Sequence, residues 1–511
     1  MPKPKPVAKK RFYLIGMDST PVWILEQFSR EQGMGSFAKM LDAKQISDLE
    51  STIPPMTGAA WPSIYTGLTP GEHGVPDFFI MTRDYTPDIV FYDSEAVPPI
   101  WKTLADNGYR CLVITPATEI KAPSHKNIDL MTGFPLKSKT NSKDIEQRMQ
   151  KYDFWGEPDI EKAIKDGKMT PEDASKAYVK SIAARSQIAR EMIESKEYDF
   201  IFVCFTETDR LQHFVLNKPE MKSYLLPLYR EINKFLEYVL KRVDEEGSAA
   251  MLVSDHGAQP IYNKFLINSW LIDNGYAVLK KSIEEITSDA EDEEGKPSTA
   301  YSLREKLLKS RLRKVYDKLP FTVKKAVFSL LGSFFSKGGS GAYTRLHLFD
   351  FDMTKTRAFP AISNFPVTTL WINDKRFKNG IVSDSEKKVL KTEIITKLKT
   401  VKSAEGDTMF PEVTDAEPYY KGTEKFIPPD LFASAKKGYT IDVFNYSKAT
   451  PFMAPEAPKS GDHTMMGIFG FYSRSVKVTY SNVSVLNITP TILDYYGLES
   501  KTGKRSVMVK E

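Results

Sequence analysis

Five short segments of this 511-residue chain carry side chains that can bind a metal ion or attack an electrophile. In TETDRLQH (206–213), Asp209 and His213 stand four apart. On a helix they share a face, so a carboxylate oxygen and an imidazole nitrogen can grip one divalent cation. In VSDHG (253–257), an apolar run ends in Asp255 and His256, and a glycine follows where the backbone turns. SGDHTMMGIFGF (460–471) offers His463 before another apolar run, and FYLIGMD (12–18) ends in Asp18. In PPMTGAAWPSIYTG (54–67), Thr57 and Gly58 open a helical pattern. A hydroxyl there lies beside free helix-start N–H groups, which favour an anion, and glycine lets a substrate approach the backbone. Each segment taken alone also has a plain structural reading: a solvated helix start, a strand-terminal turn, a loop histidine, a turn aspartate, a helix N-cap.

The elements that must position these residues follow from apolar patterning. FYLIGM, YDFIFVCF (198–205) and AAMLV (249–253) read as strands buried on both faces, and CLVIT (111–115) reads the same way. Helical stretches alternate with them at 21–30, 171–196 and 226–247, and 100–115 reads as a helix–strand pair. This alternation predicts an α/β fold with a mostly parallel sheet covered on both faces. Ligands in such sheets sit at the carboxyl ends of the strands. Asp18, the segment 206–209 and Asp255-His256 all fall just past such ends.

Composition narrows the chemistry. Hydrophobic residues make up 41% and charged residues 27%, which excludes global disorder. Lys+Arg 71 against Asp+Glu 66 leaves +5, too small a balance to argue for nucleic acid, and there is no nucleic-acid-specific signal. Cys111 and Cys204 lie in apolar runs and read as buried thiols, so a thiolate zinc site is excluded. Metal or acid–base chemistry must draw on six histidines: His73, His125, His213, His256, His347 and His463. The longest strongly apolar stretch, AVFSLLGSFF, is half of what a membrane span of about 20 residues needs. With no signal segment visible, a cytoplasmic protein is the expectation. Nothing in the sequence bears on oligomeric state.

Together the five segments resemble the alkaline phosphatase superfamily, and within it the type I phosphodiesterase/nucleotide pyrophosphatase family. The resemblance runs through IGMDST, PPMTGAAWPSIYTGLTPGEHGV, FTETDRLQHF, VSDHGAQP, SGDHTMMGIF and NITPTILDYYGL. TPGEHGVPDFF, NSWLIDNGY and TLWINDKRFKNGIV look most like its prokaryotic, cytosolic-type members. The resemblance implies a three-layer α/β/α sandwich with inserted cap elements and a site for two divalent metal ions. Asp18, Thr57, Asp255 and His256 would hold one ion, and Asp209, His213 and His463 the other. Zinc is implied, and manganese suits the same donors nearly as well. It further implies a hydrolase that cleaves phosphodiester or pyrophosphate bonds. Thr57 would be the nucleophile, a phosphothreonine the intermediate, and Gly58 a backbone contact to a phosphoryl oxygen. A phosphomonoesterase or phosphomutase on the same site is the alternative, and a non-catalytic scaffold the remote one. Threonine cannot yield the aldehyde that sulfatases of the superfamily use, and threonine is usual among its diesterases. His73 aligns with a histidine that is not a ligand. One departure stands out: where relatives carry an asparagine that helps bind phosphate, this chain has Asp77 and Phe78. An ionised Asp77 would repel phosphate unless turned away or paired.

The resemblance implies a small-molecule phosphate ester as substrate. Residues that could select it are Asp77, Phe78, and Lys121, His125 and Lys126 in the loop after CLVIT; Arg345 and Arg376 are open to the same reading. The loop residues read equally well as a solvated surface. The chain divides into a disordered tail (1–10), a core (11–280), a helical insertion or cap (281–344), core again (345–375), a small inserted cap (376–425) and a last core part (426–511). A basic stretch within 304–335 reads as a cap with a solvated face or as an amphipathic helix on an anionic membrane surface.

Overall fold

The computed structural model describes residues 11–509, apart from 159, 283–349, 361–364, 421–422, 448–449 and 456–457. The expected tail, nearly all of the 281–344 insertion with its basic stretch, Arg345 and His347 lie outside the described residues. The strands that build the site are, in chain order, β1 (Phe12–Met17), β2 (Ile46–Glu50), β3 (Cys111–Ile114), β4 (Ile128–Met131), β5 (Phe200–Phe205), β6 (Ala249–Val253), β7 (Gly257–Pro260), β8 (Gly461–Thr464) and β9 (Met466–Ser473). The helices are α1 (Thr57–Thr66), α2 (Pro171–Ser195), α3 (Glu207–Val215) and α4 (Met221–Glu246).

Seven strands form the central sheet in the order β2-β9-β6-β1-β5-β3-β4. Strands β6, β1, β5, β3 and β4 run parallel, while β9 is antiparallel to both β6 and β2. The period-2 geometry of a strand divides each apolar run between two cores. From β1, Tyr13, Ile15 and Met17 join one cluster with α2 and α4, while Phe12 and Leu14 join another with α1. From β5, Ile201, Val203 and Phe205 face the first cluster, and Phe200, Phe202 and Cys204 the second. Both faces are covered, as near-continuous apolar strands require.

A close approach sets α1 on the sheet. A side chain at Gly16 would place its Cβ 2.6 Å from the Trp61 indole, so a residue without Cβ lets Trp61 press against β1. The first turn of α1 is thereby held near the carboxyl end of β1.

The strands expected to return to the core sheet from 345–375 do not do so. Ala358–Pro360 and Val367–Ile372 pair with each other, and Leu431–Ser434 and Glu412–Asp415 complete a separate antiparallel sheet. The helix Asp384–Thr400 packs on it through Leu390, Ile394 and Leu398, which share its apolar cluster. Residues 376–425 thus share one apolar body with 350–375 and 431–443 rather than forming a cap of their own. The run VTTLWI shows that a strand is buried, but its partner is chosen by residues far along the chain. Among the described residues of 426–511, β9 alone joins the central sheet, and the helix Ile488–Tyr495 packs beneath it. Among the described residues, no helix is long and apolar enough to cross a membrane.

Candidate metal centre

Three neighbouring strands deliver the acidic side chains. Asp18 follows β1, α3 with Asp209 follows β5, and Asp255-His256 follows β6. Their carboxyl ends adjoin because β6, β1 and β5 are consecutive in the sheet. The fourth contribution crosses a long sequence gap: β8 pairs antiparallel with β7, with His463 opposite Ala258. This ribbon stacks the His463 ring on His256 at 3.8 Å between centroids.

The seven expected ligands converge. His213 Nε2 lies 3.4 Å and His463 Nε2 3.3 Å from Asp209 Oδ1, and the two Nε2 atoms are 3.2 Å apart. His256 Nε2 lies 3.2 Å from Asp255 Oδ2, 3.7 Å from Asp18 Oδ1 and 3.1 Å from Thr57 Oγ1. Two overlapping groups of atoms close enough to hold a cation result: Asp18, Asp255 and His256; and Asp209, His256 and His463. Thr57 is the first helical residue rather than the N-cap, which is Met56, and its hydroxyl bonds to His256.

Each imidazole is oriented from behind. Nδ1 of His213 lies 3.1 Å from the Gly461 carbonyl, that of His256 3.1 Å from the Gly257 carbonyl, and that of His463 2.9 Å from the Pro55 carbonyl. A carbonyl partner places the proton on Nδ1 and leaves the Nε2 lone pair for the site. Trp61 Nε1 donates to Asp18 Oδ2 at 3.0 Å, and the Ser19 amide donates to Asp255 Oδ1 at 3.2 Å.

The opposite oxygens are left over. Asp18 Oδ1, Asp209 Oδ1 and Asp255 Oδ2 are buried and accept no hydrogen bond. Buried carboxylate oxygens without donors are costly. Burial, then the charges of Asp255 and Asp209, hold the Asp18 carboxyl well above the carboxylate range. Burial pushes Asp255 up to about 8. Burial, with the charge of His463, drives His256 well below its ordinary range and keeps it neutral. Burial also opposes ionisation of Asp209, but His213 and His463 outweigh it and hold that carboxyl low. His213 is pushed up to about 9: burial disfavours its cation, and Asp209 overrides it. A divalent cation at each group would replace these arrangements with direct charge compensation, so the donor set fits metal ions.

Residues not anticipated complete the support. Arg185, fully buried on α2, holds Glu207 at 2.7 Å and Glu157 at 3.0 Å, and Arg210 reaches Glu157 at 3.1 Å. This network fixes the start of α3, two residues before Asp209. Asp462 is buried beside His463 and accepts its amide at 2.9 Å. Glu207, Arg210 and Asp462 lie inside quoted motifs, but pairing across elements is not a local signal.

The expected substrate residues part company. A Cβ on Gly58 would meet Phe78 N at 3.0 Å and the Asp77 carbonyl carbon at 3.2 Å, so this glycine gives room to the 77–78 backbone. Asp77 and Phe78 therefore do adjoin the site. Asp77 Oδ1 accepts the Phe78 amide at 2.5 Å, and Phe78 meets Phe134 edge-on at 5.9 Å. Asp77 also borders a small apolar slot with Pro54, Trp371 and Tyr420. His125 and Lys126 precede β4, at the opposite end of the parallel sheet from the acidic cluster; His125 Nε2 faces Asp106 at 3.4 Å. Lys121 pairs with Asp93 at 3.2 Å. Arg376 bridges Asp374 at 2.8 Å and Asp430 at 2.5 Å, so it is engaged in the second sheet. His73 bonds Ser63 Oγ at 3.0 Å, and burial lowers it to about 3, a neutral structural histidine.

Comparison with known proteins agrees with this architecture. The family model described as type I phosphodiesterase / nucleotide pyrophosphatase matches residues 13–336. Among solved structures, phosphonoacetate hydrolase from Sinorhizobium meliloti 1021 in complex with phosphonoformate is similar, with TM-score 0.52 and 14% identity over 94% of each chain. Its complex with phosphonoacetate gives 0.49 and 12%, again over 94% of each chain. At 14% identity, the first likeness speaks to the fold alone. A comparison with curated proteins gives no match. The family match over more than half of the length, on a fold that gathers that family's motif residues into one site, leads to one conclusion: the chain belongs to the type I phosphodiesterase/nucleotide pyrophosphatase family and is a phosphate-ester hydrolase of the alkaline phosphatase superfamily.

Proposed function

We propose that this protein is a two-metal phosphoryl-transfer hydrolase that cleaves phosphodiester or pyrophosphate bonds through a covalent intermediate on Thr57. Asp18, Thr57, Asp255 and His256 would hold one ion, and Asp209, His213 and His463 the other. The observation that carries the reading is the set of three buried, donorless carboxylate oxygens facing three imidazole Nε2 atoms. Imidazoles and carboxylates without thiolate suit zinc, with manganese next. When bound, the ions neutralise phosphoryl oxygens and lower the pKa of a hydroxyl.

The chain's own residues do the rest. Thr57, at the first turn of α1, presents Oγ1 to phosphorus. Trp61 and the Ser19 amide hold Asp18 and Asp255 so that one oxygen of each faces the site. The carbonyls of Pro55, Gly257 and Gly461 keep the imidazoles in one tautomer. The Thr57 oxygen forms a bond to phosphorus while the leaving oxygen departs. Water then attacks phosphorus and releases Thr57.

The test is turnover of bis-(p-nitrophenyl) phosphate against p-nitrophenyl phosphate, with metal analysis and mass spectrometry of acid-quenched enzyme. The expectation is about two zinc equivalents, diester preference and a phosphorylated peptide containing Thr57, all turnover vanishing in Thr57→Ala. A clear monoester preference would overturn the diesterase assignment. Full activity in Thr57→Ala would overturn the mechanism.

A further inference from the structure

Asp462 lies close enough to His213 and His463 to form a third potential cation-binding group with them. Its chemistry argues for another role. Asp462 is 1% exposed, and both of its oxygens are occupied. Oδ1 accepts the His463 amide at 2.9 Å. Oδ2 accepts Thr440 Oγ1 at 2.5 Å and Lys459 Nζ at 2.8 Å. Asp209 offers the opposite picture: its Oδ1 has no donor and sits between the same two imidazoles. A carboxylate serving three donors is a poor ligand, whereas one with a donorless oxygen is a good one.

We infer that Asp462 is a positioning residue for the metal centre, an anchor that Lys459 and Thr440 lock in place and that fixes His463 through its peptide N–H. The inference rests on the two-metal reading. Asp462 clamps β8 where that strand delivers His463 over His256. Thr440 belongs to Tyr439–Asp442, a strand outside the central sheet that pairs with Asn263–Leu266. The anchor therefore ties the last ligand to both bodies of the protein. Lys459 also lies 5.8 Å from the Phe365 ring, and Phe365 lies 5.2 Å from the His463 ring, so the lysine touches two groups that each contact this histidine.

The roles of ligand and anchor separate through Lys459. In Asp462→Asn, the oxygen can still accept the His463 amide and the Thr440 hydroxyl can turn to accept from the new NH2, but that NH2 opposes the Lys459 ammonium, which has no acceptor. Loss of outer-shell partners typically costs 10–100-fold in metal affinity. If Asp462 acts as an anchor, replacing the lysine as well relieves the clash and restores much of the affinity. If it is a ligand, the second substitution restores nothing.

The experiment is competitive Zn2+ titration against a chromogenic chelator for wild type, Asp462→Asn, Lys459→Met and the double variant. The expected result is one of two zinc affinities weakened about 10–100-fold in Asp462→Asn, and returned to within about threefold of the Lys459→Met value in the double variant. An equal loss in the double variant overturns the anchor and makes Asp462 a ligand; no loss in either overturns both roles. A wild type that binds no zinc refutes the two-metal reading itself. The anchor is then read in metal-free protein from the His463 Nδ1 proton, which faces the Pro55 carbonyl. Faster exchange of that proton in Asp462→Asn than in wild type and double variant supports the anchor, and equal exchange in all three overturns it.

Discussion

Removing metal should expose the electrostatic cost of the site, and Asp255 makes that cost measurable. Its folded-state pKa of about 8 lies above the unfolded value near 3.8. A carboxyl raised on folding binds its proton more tightly in the folded chain. It therefore weighs against folding above the unfolded pKa, and the penalty grows until pH passes the folded pKa. Between about pH 5 and pH 8 the metal-free wild type loses about three pH units' worth of stability from this group, about 4 kcal/mol at 1.36 kcal/mol per unit. Asp18 and His213 also hold shifted protons in the fold, and the Asp255 charge is one cause of the Asp18 shift, so the informative quantity is the difference between wild type and Asp255→Asn, which reads the coupled carboxyl pair while keeping the shape. Urea unfolding of chelator-treated protein should show Asp255→Asn gaining on wild type by about 4 kcal/mol as pH rises from about 5 to 8. With zinc present the order should invert, because an amide is a poor ligand and wild type gains binding energy, about 4 kcal/mol per ion at a thousandfold excess over Kd. A difference that stays flat with pH in metal-free protein would mean that Asp255 ionises freely in the fold. The argument from an uncompensated buried carboxylate to a bound cation would then fail.

Other substitutions probe the supporting structure. Gly58→Ala drives a Cβ to 3.0 Å from Phe78 N, so it should cost about 1–3 kcal/mol and about tenfold in kcat/KM, read by thermal unfolding and diester turnover. Arg185→Met leaves Glu207 buried with only the Ser181 hydroxyl as donor, while Glu157 keeps Arg210; about 3–5 kcal/mol should be lost, with weaker binding at the Asp209 ion seen by zinc titration. His73→Gln and His125→Gln should retain both metal equivalents, whereas His213→Ala should lose one, as measured by elemental analysis of purified protein. Lys387, which joins Arg376 in bridging Asp374 and Asp430, should cost stability when changed to Met without altering zinc content.

Five of the seven expected ligands were readable from a local pattern, His213 through its four-residue spacing from Asp209. Asp18, Asp209 and Asp255-His256 sit at the ends of apolar runs that are long enough to be strands, and strand ends are where a parallel sheet presents polar groups. Thr57 and His463 carry no such local argument; the resemblance of their motifs supplied their roles. Substrate residues were legible only in part, because distance from a catalytic motif in sequence says little about distance in space. His125 follows the strand β3 closely, yet it lies at the far end of the sheet because the chain has already looped back to begin β4. Arg376 looked like a cation for an anion, but Asp374 and Asp430 claim it.

The sequence by itself determined the chemistry on offer: six histidines, no usable thiolate, a threonine that opens a helical pattern, and apolar runs that must be buried on both faces. Only the tertiary structure decided which oxygens remain without donors. That outcome depends on Trp61 and the Ser19 amide taking one oxygen each from Asp18 and Asp255, and on carbonyls of Pro55, Gly257 and Gly461 facing the imidazoles. It also decided that Asp462, adjacent to His463 and of the same type as three expected ligands, is filled with hydrogen bonds. Residue type sets what a side chain can bind. Packing decides which of its lone pairs are already taken, and that is set by elements far apart in the chain meeting around one sheet end.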